Sequence, residues 1–234
     1  MFIFSAVVLL GCSKRQGGED KFDGKLDDSI MLIDVGHTTR GEMASALNLL
    51  SSCNPRIIGI NLIFETNNHT EEDSALYKSI KNAGNVILVS NLDSSNVIVN
   101  SDSMFVTASM ARGVLRYEYK GEYVSQINQT ITAQDIVLHS FPIMVASYAN
   151  PDKAESLLNP SVLNRSSDIR IVDAYPGSKL IASLTQSDCL NIENKIVLIG
   201  YFGSDDEDRY PISESINIPS TVIMANIISN LLDN

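Results

Sequence analysis

The sequence has no tryptophan, only three cysteines and only three histidines in 234 residues, and each scarcity removes a class of chemistry. Cys12, Cys53 and Cys189 form no C-x-x-C pair, and His37, His69 and His139 form no H-x-x-x-H pair. Structural zinc sites draw ligands from such close pairs, so no His/Cys metal centre is expected. Positive charge is sparse as well: 17 Lys and Arg against 28 Asp and Glu give a formal net charge of -11, and no basic cluster exceeds Lys14-Arg15. A surface of that sign repels phosphate backbones, so nucleic acid is not an expected partner. The apolar run Met1 to Gly11 (MFIFSAVVLLG) falls short of the roughly 20 residues that a membrane-spanning helix needs.

That run does have the length of a signal-peptide hydrophobic region. It ends in Leu9-Leu10-Gly11-Cys12, which resembles the bacterial lipobox: a leucine three before the cysteine and a small residue just before it. The resemblance implies cleavage before Cys12 and lipidation of its thiol, with acyl chains holding the protein at a membrane surface. Residues 13–28 are polar and contain glycine, the composition of a flexible tether. No Lys or Arg precedes the apolar run, so a start further upstream or the tail of a transmembrane helix is the alternative. The expected organisation is therefore a lipoprotein-type signal or anchor over 1–12, a tether over 13–28, and one domain over 29–234 on the outer side of a bacterial membrane.

What the chain has in quantity is alternation. With 44% hydrophobic and 19% charged residues it is of ordinary globular composition. Ile30 to Val35, Arg56 to Phe64 and Asn85 to Ser90 are short apolar runs bounded by polar residues, and each predicts a buried strand. Between them, Thr39 to Ser52 and Glu71 to Ala83 carry apolar residues at helical spacing. Thr38 or Thr39 stands ready to cap the first, and Gly84 ends the second. Apolar strands separated by helices predict an α/β fold: a mostly parallel or mixed central sheet with helices on both faces. The middle differs. Met104 to Thr132 is rich in β-branched and aromatic residues, and Tyr117 to Tyr123 predicts a β-hairpin insertion turning near Gly121. Ile136 to Tyr148 predicts a helix, kinked or restarted near Pro142 and ended by Asn150-Pro151. Asp168 to Ala174 and Lys195 to Phe202 predict strands, and Thr221 to Leu232 a closing amphipathic helix.

Four stretches in order resemble one family. Arg56-Ile57-Ile58-Gly59-Ile60-Asn61-Leu62-Ile63-Phe64 is similar to its "K-V-I-G-hydrophobic-D-x-x-F" strand. Asp73-Ser74-Ala75-Leu76, continued by Gly84-Asn85-Val86-Ile87-Leu88, is similar to its "D-x-x-L … G-N-V-V-L" pair. Lys195 to Gly200, with Asp208 and Pro211, is similar to "K-I-V-L-I-G … D … T-P". Ile218-Pro219 to Leu232, with Ala225-Asn226, is similar to "M-P-G-V-E-x-x-A-N". The family is the second class of CHASE-type extracytoplasmic sensor domains, found outside bacterial histidine kinases and nucleotide cyclases. The resemblance implies a sensory or ligand-binding module without catalytic activity or cofactor. Its partners would be a small-molecule or envelope ligand and a separate signalling or envelope protein that reads the signal. The chain departs from the pattern at Asn61, Tyr210, Ser220 and Val222, where the family carries Asp, Thr, Gly and Glu.

In open α/β sheets ligands bind beyond the carboxyl ends of the strands. Asp34, which falls where the family carries an acid, Asn61, and the loop from Gly203 to Arg209 with Asp208 are the candidate ligand-binding groups at those ends. For Asp34 the plain alternative is a structural acid bonded to backbone N–H groups. Arg40 could meet an anionic ligand at a helix N-terminus, the plain alternative being an arginine that faces solvent. The acids at 205–208 lack calcium-loop spacing and read as a solvated loop. Cys53 and Cys189 are expected as separate buried thiols. Two rival functions remain. Ile33 to Thr38 resembles the nucleophile loop of haloacid-dehalogenase phosphohydrolases, with Asp34 as nucleophile and Lys195 and the acids 205–208 as later lysine and magnesium ligands. Against it, Gly36 removes the second acid and Tyr201 stands where that family places a magnesium-binding Asp. The other rival is a structural envelope lipoprotein.

Overall fold

A computed structural model describes residues 26–65, 70–115, 117–120, 123–159, 169–170, 178–203, 209–213 and 216–233. Cys12, the segments 1–12 and 13–25, and Asp208 with the acidic run lie outside the described residues.

The chain opens with β1 (Ile30–Asp34), α1 (Arg40–Ser52), β2 (Ile57–Ile60), α2 (Glu71–Ala83) and β3 (Val86–Leu92). Both helices begin in the way their sequences require. Thr39 caps α1 and Thr70 caps α2, each closing a reciprocal box with the acid three residues on, Glu42 and Asp73. Gly84 ends α2 at φ 70, a left-handed conformation open to a residue without Cβ. There follow β4 (Ile98–Val99), α3 (Ser103–Ala108), β5 (Ala111–Val114), the hairpin β6 (Tyr117–Lys120) and β7 (Tyr123–Ile127), and a second hairpin, β8 (Thr130–Ala133) and β9 (Ile136–His139). The remainder is α4 (Phe141–Ala149), α5 (Pro151–Leu158), β10 (Ile169–Arg170), β11 (Lys179–Leu180), α6 (Cys189–Ile192), β12 (Ile196–Gly200), the hairpin β13 (Arg209–Ser213) and β14 (Ile216–Pro219), and α7 (Ser220–Asp233).

The central sheet runs β11-β1-β12-β2-β3-β4, with β5 beside β3. All its pairings are parallel except that of β3 with β4. Its strands alternate between two cores with period two, as a sheet covered on both faces must. Ile33, Ile58, Val197 and Ile199 meet α1, α2 and α3 through Leu47, Leu50, Leu76, Ile80 and Phe105. Leu32, Ile57, Ile87 and Leu198 meet α4 and α7 through Phe141, Val145, Val222, Ile223 and Ile227. The α/β architecture, the two helical layers and the mid-chain hairpin β6–β7 are those expected from the sequence.

Three local expectations are corrected, and one is borne out with an addition. Ile136 to His139 is a strand, not the start of a helix. Gln134 and Asp135 both take left-handed φ (51 and 62), a two-residue turn that folds β9 back on β8, and Pro142, which has no N–H to donate, then opens α4 as a new helix. Asn150-Pro151 ends α4, yet Pro151 also begins α5. Within the stretch expected to be β-rich, Ser103–Ala108 is helical because the Asp102 carboxylate accepts from Met104 N at 2.9 Å. Cys53 and Cys189 are bonded as a disulfide across 136 residues of sequence, their Cα atoms 4.5 Å apart, and are not separate thiols. Of the strand expected over 168–174, Ile169–Arg170 is described and pairs with β7; positions 168 and 171–174 lie outside the described residues.

Candidate functional site

The site lies where the chain leaves adjacent strands toward opposite faces. β1 and β2 are followed by α1 and α2 on one face, while β12, which sits between them, leads by way of the β13–β14 hairpin to α7 on the other. Diverging exits open a crevice at the carboxyl tips of such a sheet. Here the crevice is a cleft of about 220 Å³, lined by Asn61, Leu62, Ile63 and Glu65 after β2, Val89 and Asn91 on β3, and Tyr201 after β12.

Asp34 and Asn61 flank the tip of β12. Asp34 is paired in register with Gly200, and Asn61 N donates to Ile199 O at 2.8 Å. The Asp34 Oδ1 accepts from Gly36 N at 2.9 Å and from Phe202 N at 3.2 Å. Those two bonds fix the turns after β1 and after β12 against each other, the plain task weighed for this acid. Asn61 is 8% exposed, and its amide nitrogen donates to Ser220 Oγ at 2.7 Å and Thr221 Oγ1 at 2.9 Å. A neutral amide does here what a carboxylate would also do, hold two hydroxyls, without burying a charge. α7 reaches this point because position 200 is glycine: a Cβ there would stand 2.0 Å from Thr221 Oγ1. The strand tip and the first turn of α7 are therefore in direct contact, with Asn61 bonded across the junction.

Arg40 does not line the cleft. Its guanidinium forms an ion pair with Asp73 and lies over the Phe105 ring, 5.5 Å from the centroid. Asp73 is 1% exposed and also accepts from Thr70 N at 3.1 Å. The Arg40 hydrogen bond, chief among these contacts, outweighs burial and holds the Asp73 carboxyl down at about 2, from 3.8. The pair ties the first turn of α1 to that of α2, so Arg40 neither faces solvent freely nor stands open to an anion.

Sequence reasoning missed Asp73 as a buried partner and Glu65, Asn91 and Tyr201 as cleft residues. A signal existed for Asp73, since Thr70-x-x-Asp73 has capping-box spacing. None existed for the others, which topology alone gathers. Among the described residues no group of three or more His, Cys, Asp or Glu is placed to hold a metal ion, and no helix is long and apolar enough to cross a membrane.

A mostly parallel sheet between two helical layers, with a polar cleft at its strand tips, defines a three-layered α/β domain. The CHASE2 domain profile matches residues 27–234, and the chain belongs to the CHASE2 family. CHASE2 domains are extracytoplasmic sensory domains rather than catalytic ones. Comparisons with curated proteins and with solved structures gave no match.

Proposed function

We propose that the chain is a non-catalytic sensory module that takes a small ligand in the strand-tip cleft and passes the event to a separate envelope protein. The observation that carries this is the bond from cleft to helix: Asn61 lines the cleft and donates to both residues that open α7. α7 has 14 residues, about 21 Å of helix, and Lys153 of α5 donates to the Leu232 carbonyl at its far end. A ligand that prefers one setting of Asn61 shifts the population of α7 positions, and a partner that touches the far end reads the shift. No reaction is involved; Asp34, the nucleophile of the phosphohydrolase reading, is held by two backbone N–H groups.

On this reading residues 1–12 act as signal or anchor, Cys12 carries the lipid, 13–28 form the tether, and 29–234 fold as one domain outside the cytoplasm of a bacterium. The Cys53–Cys189 disulfide supports an exported location, because such bonds persist in oxidising compartments. Two measurements test the proposal. Fractionation should find the full chain in the membrane and the Cys12→Ala chain free of it. A thermal-shift screen of the full chain against a broad metabolite panel should find ligands that raise Tm, because they bind only the folded state. Asn91→Phe, which fills the cleft, should abolish those rises. Ligand effects indifferent to Asn91→Phe, or a panel with no effect at all, would sink the reading.

A further inference from the structure

We propose that the strand-tip cleft selects a small protonated primary amine over any anion, an inference that rests on the sensing role given above. Among the described residues its polar lining is Glu65, two amides (Asn61 and Asn91) and the Tyr201 hydroxyl, with no Lys, Arg or His. Both hydrogens of the Asn61 amide nitrogen are directed at the Ser220 and Thr221 hydroxyls, which leaves its carbonyl oxygen as an acceptor. The Asn91 amide oxygen is buried and has no hydrogen-bond partner among the described residues. An acceptor without a donor is costly, and a turn of the Asn91 amide that brings its oxygen to the cleft lets an incoming N–H donor relieve that cost. Glu65 is exposed at the cleft, on the loop after β2. That loop is held firm where Phe64 N donates to Ser101 Oγ at 3.0 Å and Asp102 N donates to Phe64 O at 2.8 Å.

A carboxylate with amide acceptors matches an ammonium group, whose three donors need acceptors and whose charge needs an opposite one. Among the described lining residues an anion would find no cation, and it would approach a protein of net charge -11. Size narrows the class further. A volume of about 220 Å³ lies below the roughly 300–1,000 Å³ of drug-sized ligand sites and suits a small ligand such as an amino alcohol or an amino sugar. Leu62, Ile63 and Val89 supply apolar wall for a short carbon skeleton.

The test is a titration of the full chain, followed by thermal shift and by ligand-observed NMR. The probes are ethanolamine and glucosamine, with tetramethylammonium, sorbitol, acetate and inorganic phosphate as comparisons. Ethanolamine or glucosamine should raise Tm saturably. Tetramethylammonium, which is charged but has no N–H, should bind at least tenfold more weakly. Glu65→Gln, at an exposed position that leaves the fold intact, should weaken amine binding about tenfold, the loss of one charge-assisted hydrogen bond. Acetate, phosphate or sorbitol binding more tightly than the amines, with the effect lost in Asn91→Phe, overturns the amine class while the cleft keeps its sensory reading. Amine binding unchanged by both Glu65→Gln and Asn91→Phe overturns the assignment to this cleft. No response to any probe overturns the amine class, and the broad metabolite panel then decides the sensing role separately.

Discussion

With 1% of its surface exposed, the Asp73 carboxylate stays ionised because Arg40 and the Thr70 backbone N–H surround it with donors. Removing the arginine strands a buried charge, so Arg40→Ala should cost about 2 kcal/mol, below the full cost of breaking a buried pair because Arg40 itself is 26% exposed. The pH dependence follows from the direction of the shift. The folded-state value of about 2 lies below the ordinary 3.8, so the contribution is complete above about pH 4 and drains away as the pH falls toward 2. Urea unfolding of wild type and Arg40→Ala at pH 7 and pH 3 should therefore show a gap that narrows in acid; a gap independent of pH would disprove the linkage. Arg40 also marks a limit of sequence reading at this scale. Its position at the start of a helix is legible, but its partner is 33 residues away, and only the packing of α1 on α2 brings them together. Asp34 and Asn61 were legible because each is the polar residue that interrupts an apolar run, Ile30 to Val35 and Arg56 to Phe64, whereas Glu65, Asn91 and Tyr201 share no local pattern.

Among the elements, β1, β2, β3 and β12 could be read directly because a strand buried on both faces leaves an unbroken apolar run. The starts of α1 and α2 were legible through their caps. The run Ile136-Val137-Leu138 was not, since a short apolar segment fits either period, and the left-handed pair Gln134-Asp135 decided for a hairpin. The contact between β12 and α7 is equally invisible in sequence, although both elements are plain in it. It depends on position 200 having no side chain. Gly200→Ala would drive a methyl into the Thr221 hydroxyl and should cost about 2 kcal/mol by overpacking. Thr221→Ala in the same chain removes the Oγ1 atom at 2.0 Å and should recover part of that loss, a coupling measurable in a double-mutant cycle by urea denaturation. Strictly additive effects would mean that α7 is free to draw back from the strand tip, and the cleft would lose its mechanical link to the helix.

At the scale of the whole molecule, the last central strand to form in sequence order is also the most interior. β12 inserts between β1 and β2, so the sheet stays incomplete until residues 196–200 arrive. The disulfide fastens this late arrival to the start of the chain, since Cys53 caps the end of α1 and Cys189 opens α6, just before β12. A cross-link spanning 136 residues restricts the unfolded chain strongly, and its removal should cost about 4 kcal/mol. A Cys53→Ala, Cys189→Ala chain should accordingly unfold at lower urea than wild type by that amount, and dithiothreitol should bring wild type to the same midpoint while leaving the variant unmoved. Thiol titration of the denatured, unreduced full chain supplies the independent count. Cys12 should react in a chain that has not been processed and no thiol in one that is lipidated, with Cys53 and Cys189 silent in both. Reaction of Cys53 and Cys189 in protein taken from its own envelope would break the link between this bond and an oxidising compartment, and the exported location would then rest on the family alone.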